Sequence, residues 1–274
     1  MNMPTLARLS CSKPRAWLVL AVIVAALLVG CSVTPAEDQV IKDSFVVSGS
    51  PQLIVEIDNG SIEVVSSSSG GADIQVTATV RNQDRVDYRA SQDGNTVRIV
   101  GKSDSGFSFL GSGDRGVDLV VSAPPGVDLK LESSNGAIAV TGINGPISAK
   151  TSNGRISITD STGDMEVATS NGRVDLVDVS GQVEAKTSNG SISYRGTLRP
   201  GSENELQTSN GSIEVSLVDT PGVEIDATTS NGQVSSSLPI TIEGTVKDNA
   251  LKGAIGDGGS TLKMTTSNGS ISIE

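Results

Sequence analysis

Acidic side chains are the groups in this sequence best suited to catalysis, because two carboxylates facing each other across a cleft can hydrolyse a glycosidic bond. The acids of the second half stand singly within segments that alternate apolar and polar residues, as do Glu166, Asp175, Glu184, Glu214 and Glu224. Isolated acids of this kind are typical of a solvated face. We therefore predict no catalytic residue, and we keep a polysaccharide-active enzyme on a β-helix scaffold as the alternative hypothesis.

Histidine is absent from the sequence. Its absence excludes Ser-His-Asp and Cys-His catalysis, and it excludes zinc sites that use imidazole. Two acidic, glycine-rich loops at Asp114 and Asp257 lack the serial Gly-Gly-x-Gly-x-Asp pattern of calcium-binding repeats. We predict ordinary turns at both places, no metal site and no cofactor.

Cys31 is the residue whose position indicates a covalent modification. Basic residues precede an unbroken apolar run over residues 16–29, which is typical of a signal peptide and short for a membrane span. The run ends in Leu-Val-Gly-Cys, which resembles the lipobox of bacterial lipoproteins. The resemblance implies that the signal is removed after residue 30 and that Cys31 is acylated; an ordinary secretory signal with a chance cysteine is the alternative. We expect an exported protein, lipid-anchored to the bacterial cell membrane or outer membrane and facing the periplasm or the exterior.

Charge and cysteine content narrow the set of partners. Residues 1–30 hold three of the twenty basic residues and none of the thirty-one acidic residues, so the mature chain has a net charge of −14. Such a surface repels nucleic acid. Cys31 is the only cysteine after residue 30, so no disulfide can form within the mature chain. The expected partners are the membrane, through the lipid anchor, and an unidentified protein or polysaccharide surface.

A Ser-Asn-Gly signature recurs through the second half of the chain. Its asparagines are spaced by 18, 18, 18, 21, 21 and 37 residues, and they are Asn135, Asn153, Asn171, Asn189, Asn210, Asn231 and Asn268. The interval of 37 residues could hold two repeats with the middle signature lost, and Asp58-Asn59-Gly60 looks like an earlier, degenerate copy. Between signatures, apolar and polar residues alternate, as around Ile156 and Ile158, which indicates strands with one buried face. Each repeat is therefore strand, turn, strand, turn.

Two all-β architectures satisfy this pattern. In a β-solenoid, each repeat is one coil and equivalent strands stack in parallel; in an antiparallel meander, closed as a barrel or sandwich, each Asn-Gly is a hairpin turn. We predict a right-handed β-solenoid with coils of 18–21 residues, because Thr-Ser-Asn-Gly recurs as a block, for example from Thr151 and Thr169. Stacked coils would align the seven asparagines into a structural turn ladder, and we expect the glycines to supply a positive φ.

The sequence divides into four segments. Residues 1–30 are the predicted lipoprotein signal peptide, and the polar residues 31–44 are predicted to be a tether. Residues 45–130 have alternating but less regular segments, and we predict that they form an N-terminal β region that caps the solenoid. Residues 131–274 form the regular Ser-Asn-Gly repeat region.

The order of these features resembles the bacterial putative-adhesin family of exported β-solenoid repeat proteins. The similar features are a Phe-Val-Val strand from Phe45, the Asp-Asn-Gly-Ser-Ile-Glu-Val segment from Asp58, and Ala-Pro-Pro-Gly-Val-Asp-Leu from Ala123, before the serial signatures. The resemblance covers roughly residues 44–274 and implies a β-solenoid without established catalytic residues. We expect a non-catalytic, adhesin-like structural and interaction module, with an envelope accessory or sensing protein as a further alternative.

Overall fold

The computed structural model describes residues 38–67, 72–103, 115–218, 222–242 and 247–274, apart from the side chain of Gln83. The predicted signal peptide and Cys31 lie outside these residues. Within the described ranges there is no helix long and apolar enough to cross a membrane.

Strands make up most of the described residues, as the alternating pattern predicts. The strands of the first part are β1 (Gln39–Val46), β2 (Gln52–Asn59), β3 (Ile62–Ser66), β4 (Asp73–Arg81), β5 (Val86–Asp93), β6 (Thr96–Ser103) and β7 (Gly116–Ala123). Those of the regular repeats are β8 (Asp128–Asn135), β9 (Ile138–Thr141), β10 (Ile147–Asn153), β11 (Ile156–Thr159), β12 (Met165–Asn171), β13 (Val174–Gly181), β14 (Val183–Asn189), β15 (Ile192–Leu198), β16 (Glu203–Asn210) and β17 (Ile213–Leu217). The last are β18 (Gly222–Asn231), β19 (Val234–Ser236), β20 (Thr241–Ile242), β21 (Ala250–Gly256), β22 (Ser260–Asn268) and β23 (Ile271–Ile273). A 3-10 turn, Gln83–Arg85, separates β4 from β5.

The strands form two sheets, and each coil of the repeat gives one strand to each sheet. Sheet A has the order β1-β4-β7-β3-β9-β11-β13-β15-β17-β23-β19, and sheet B has the order β20-β21-β18-β22-β16-β14-β12-β10-β8-β2-β6-β5. Pairing is parallel from β7 to β19 in sheet A and from β6 to β18 in sheet B. The prediction of a β-solenoid is therefore confirmed. The antiparallel meander is wrong, because the repeated strands pair in parallel across coils; the right hand of the solenoid stays a prediction.

The coils do not stack in sequence order at either end. The coil β2–β3 lies between β6–β7 and β8–β9, so the first coil of the chain is the second of the stack. At the other end, β22–β23 lies between β16–β17 and β18–β19. The described residues of the long interval before Asn268 therefore include no further coil that gives one strand to each sheet. Residues 250–256 of this interval form β21, which pairs antiparallel with β18, and β20 pairs antiparallel with β21 at the edge of sheet B.

The core lies between the two sheets and consists of aligned columns of apolar side chains. In sheet A one column is Ile62, Ile138, Ile156, Val174, Ile192, Ile213, Ile271 and Val234. Every member is buried. Burying one such side chain contributes about 1.5–3 kcal/mol, so the repeat gains stability from each coil that is added.

Sheet B also has a column of inward-facing side chains in which Val183, Asn204 and Leu262 are neighbours, and Asn204 is its polar member. Its side-chain amide is fully engaged: Nδ2 donates to the Ser202 hydroxyl and to Thr261 O, each at 2.9 Å, and Oδ1 accepts from Val183 N at 2.9 Å. These bonds offset the cost of burying the amide.

Antiparallel strands cover the first end of the stack. β1 pairs with β4 and β5 pairs with β6, so residues 39–44, predicted as part of the tether, belong to a strand. The predicted cap, 45–130, is also too long, because β2–β3 and β6–β7 pair in parallel with their neighbours and β8 already begins at residue 128.

A hydrogen bond joins the two edge strands β1 and β5: the Tyr88 hydroxyl donates to Asp43 Oδ2 at 3.0 Å. Burial, together with this bond, raises the pKa of the Tyr88 hydroxyl.

Candidate functional site

The asparagines of the signature form a hydrogen-bonded row along the turns that connect sheet B to sheet A. In each step, Nδ2 of one asparagine donates to Oδ1 of the asparagine in the neighbouring coil, at 2.8–3.0 Å. In stacking order the row is Asn59, Asn135, Asn153, Asn171, Asn189, Asn210, Asn268 and Asn231. The structure thus brings together the seven asparagines of the turn ladder and adds Asn59, which the sequence marks only by its degenerate Asp-Asn-Gly.

A second row of hydrogen bonds explains why threonine precedes Ser-Asn-Gly. The hydroxyl of each threonine donates to the carbonyl oxygen of a signature glycine in the neighbouring coil, as from Thr169 to Gly154 at 3.1 Å. The same bond is made by Thr151, Thr187, Thr208, Thr266 and Thr229. All six threonines are buried, and a buried hydroxyl needs such a partner.

The signature glycines are required for close stacking. Of the seven glycines in the Ser-Asn-Gly signatures, only Gly269 has a positive φ, 155°, so the expectation of a positive φ is wrong for the other six. Gly172 is not among the residues with positive φ. A Cβ built on it would overlap the carbonyl oxygen of Gly154, and a Cβ on Gly154 would overlap that of Gly136. The backbone of one coil therefore occupies the space that a side chain in the next coil would need.

The outward face of sheet B carries lysines and acids in fixed columns. Lys150 Nζ lies 2.5 Å from Glu166 Oε1, and Lys186 Nζ lies 2.5 Å from Glu184 Oε1 and 3.0 Å from Glu205 Oε2. Lys263 contacts the other oxygen of Glu205 at 3.3 Å. Parallel stacking puts these acids next to one another, and the lysines compensate their mutual repulsion.

The central pair of this face has shifted protonation equilibria. The hydrogen bond from Lys186, and then that from Lys263, lowers the pKa of the Glu205 carboxyl. The hydrogen bond to Glu184, and then that to Glu205, raises the pKa of the Lys186 ammonium. Both groups therefore stay charged over a wider pH range than in an unfolded chain.

The structure brings together only two of the acids that the enzyme hypothesis considered: Glu166 and Glu184 are register partners on the outward face of sheet B, where Lys150 and Lys186 pair with them. Glu166, Glu184 and Glu224 belong to strands of sheet B, whereas Asp175 and Glu214 belong to strands of sheet A. Within the described ranges, no group of three or more His, Cys, Asp or Glu residues could hold a metal ion.

Asp175 departs from the prediction of a solvated acid. It lies on the outward side of sheet A, but its side chain is only 7% exposed because Arg155 and Arg173 flank it. Arginine appears at this position of the repeat in only these two coils, where the other repeats have residues such as Ala137 and Ser191. That departure from the repeat is the signal by which the sequence could have identified the cluster.

Cys31, the predicted lipidation site, lies outside the described residues.

Three solved structures are similar to this chain. A putative cell adhesion protein from Clostridium sporogenes is 13% identical, with 86% of this chain and 99% of that chain covered and a TM-score of 0.33. A putative adhesin from Bacteroides fragilis is 10% identical (88% and 99% covered, TM-score 0.43), and a putative adhesin from Parabacteroides distasonis is 7% identical (86% and 98% covered, TM-score 0.30). A comparison with curated proteins gives no match. The model of the Toastrack DUF4097 family matches residues 126–274, which is more than half of the chain and includes all seven Ser-Asn-Gly signatures. The chain belongs to the Toastrack DUF4097 family.

Proposed function

We propose that this protein is an exported lipoprotein whose solenoid is a non-enzymatic, adhesin-like interaction module. The observation that carries the proposal is the outward face of sheet B. Its strands keep one register from β2 to β18, so that charged side chains stand in straight columns across the coils. A face of this kind suits an extended partner surface better than a small substrate, because ligand pockets are concave and mostly apolar.

The first experiment tests the interaction face. Beads coated with the full chain are mixed with bacterial cells, and the fraction of cells that carry beads is counted. Lys150→Glu with Lys186→Glu reverses two charges in the centre of the face and should reduce adhesion severalfold. Lys42→Glu with Lys247→Glu makes the same change in net charge near the two ends and should not. Equal adhesion of both double variants would overturn the assignment of this face.

The second experiment tests the anchor. The apolar run before Cys31 and the Leu-Val-Gly-Cys sequence support acylation of this thiol. Cys31→Ser should move the protein from the membrane fraction to the soluble fraction, whereas Cys11→Ser, within the predicted signal, should leave it with the membranes. Sedimentation of the Cys31→Ser protein with membranes would contradict the lipoprotein assignment.

A further inference from the structure

The outward face of sheet A differs from that of sheet B, because most of its side chains are small. Around the centre of the sheet, Ala139, Ser157 and Ser193 stand in one column with Asp175. All three small residues are half-buried. Because their side chains are short, this part of the sheet is flat, and the longer side chains beside it project from the surface.

Arg155 and Arg173 are the long side chains beside this column, and they lie in adjacent coils. The backbone places them side by side, because Ile156 N donates to Arg173 O at 3.0 Å. Both use Nε to hold the same carboxylate: Arg155 Nε lies 2.6 Å from Asp175 Oδ2, and Arg173 Nε lies 2.5 Å from Asp175 Oδ1. Asp175 is the only charged residue among the buried ones that the structure describes.

The shared Asp175 carboxylate holds both guanidinium groups in place through Nε and leaves their Nη donors available to a ligand. The Nη nitrogens of both arginines have no hydrogen-bond partner among the described residues, and the two side chains are 62% and 50% exposed. Two arginines and one aspartate carry a net charge of +1. The cluster is therefore a local positive site on an acidic protein, positioned by a buried carboxylate beneath it.

We propose that Arg155 and Arg173 form a binding site for the carboxylate group of an acidic polysaccharide. The guanidinium group presents paired N–H donors that match the two oxygens of a carboxylate. A net charge of +1 is neutralised by one carboxylate, whereas a polyphosphate carries a negative charge on each adjoining phosphate and would bring more negative charge than the site can balance. The flat surface around the arginines leaves room for an extended polymer to cross the coils. This site lies on the sheet opposite the proposed adhesion face and goes beyond that function.

The experiment measures binding of the full chain to polygalacturonate by isothermal titration calorimetry. Fully methyl-esterified polygalacturonate, which lacks the charge, and polyphosphate, which carries a different oxoanion, are titrated in parallel. We expect binding to polygalacturonate, much weaker binding to the methyl ester, and weaker binding to polyphosphate.

A triple variant removes the site with little risk to the fold. Arg155→Ser, Arg173→Ser and Asp175→Ser together install the residue that the next coil carries at the matching positions, Ser191 and Ser193. Leaving Asp175 in place would bury an unpaired charge, so all three are changed. The triple variant should bind polygalacturonate about tenfold more weakly or worse, the loss expected for charged hydrogen bonds. Arg98→Ser, on sheet B, makes the same change in net charge and should bind like the unmodified chain.

Three results would overturn the proposal: no binding to polygalacturonate, equal binding by the triple variant with an unchanged melting temperature, or tighter binding to polyphosphate. An equal loss of affinity for polygalacturonate in Arg98→Ser would also overturn it, because binding would then depend on the net charge of the protein and not on this site. The length of the polymer is measured after each titration. Shortening of the polymer would contradict the proposed non-enzymatic function and would leave the binding site standing, so the two failures are distinguishable.

Discussion

Glycine at the signature is a requirement of packing between coils. The carbonyl oxygen of Gly154 occupies the position that a Cβ of Gly172 would need. Gly172→Ala should therefore destabilise the protein by about 1–3 kcal/mol or more, the usual cost of overpacking. Gly126→Ala is the matched control, because a Cβ there meets nothing within 4 Å. Thermal unfolding of both variants checks this, and equal melting temperatures would contradict it.

The asparagine side chains contribute stability through hydrogen bonds along the stack. Asn171 donates to Asn153 and accepts from Asn189, at 2.8 and 2.9 Å. Replacing it by alanine removes both bonds, and we expect a loss of about 1–2 kcal/mol in the free energy of unfolding. Ser170 is an exposed neighbour whose side chain makes no hydrogen bond to another described residue, so Ser170→Ala should change the free energy of unfolding little. Denaturant titration distinguishes the two, and an equal loss in both would show that the ladder contributes nothing.

At the scale of strands, the ion pairs of sheet B make stability depend on pH. The lowered pKa of Glu205 means that its contribution is present above the pKa of an unfolded glutamate, about 4.3, and is lost as the pH falls through the folded value. Glu205→Gln should be less stable than the unmodified chain at pH 7 by less than about 1 kcal/mol, since the pairs are partly exposed. The difference should shrink as the pH falls below the unfolded value and should vanish once the pH is below the lowered pKa of Glu205 in the folded chain.

Glu203→Gln controls for the change of charge, because Glu203 is exposed and forms no ion pair with another described residue. It should show no such pH dependence. A difference between Glu205→Gln and the unmodified chain that persists unchanged at pH 3 would contradict this account.

The out-of-order coil at the end of the stack couples two segments that are distant in sequence. β22 pairs with both β16 and β18, so the coil β18–β19 reaches the rest of the solenoid through the last residues of the chain. Removal of residues 260–274 should therefore abolish amide protection in residues 222–236 as well. Amides of β10 and β11 should stay protected in the same hydrogen-exchange experiment. Continued protection of residues 222–236 would show that this coil can pack directly on β16–β17.

At the scale of the whole molecule, sheet B extends about 53 Å along the stack, because it has twelve strands at a spacing of about 4.8 Å.

The sequence was sufficient to predict the solenoid, because the alternation around Ile156 and Ile158 indicates strands and the repeated Thr-Ser-Asn-Gly gives the length of one coil. The buried state of Asp175 could not be predicted from alternation, because it depends on two arginines in different coils. The sequence also could not predict the order of coils at the ends. Every signature presents the same asparagine donor and acceptor and the same glycine carbonyl, so the ladder itself does not select which coil is next.

Disulfide trapping tests this architecture most directly. Gln207 and Thr265 are register partners in sheet B, and Thr265 is in turn the partner of Thr228. In a chain whose own cysteines are replaced by serine, Gln207→Cys with Thr265→Cys should form a disulfide readily, because neighbouring strands are about 4.8 Å apart. Gln207→Cys with Thr228→Cys should not, because these residues are two strand spacings, about 9.6 Å, apart. The reverse result, a disulfide only between positions 207 and 228, would mean that the coils stack in sequence order and would contradict the order of coils described above.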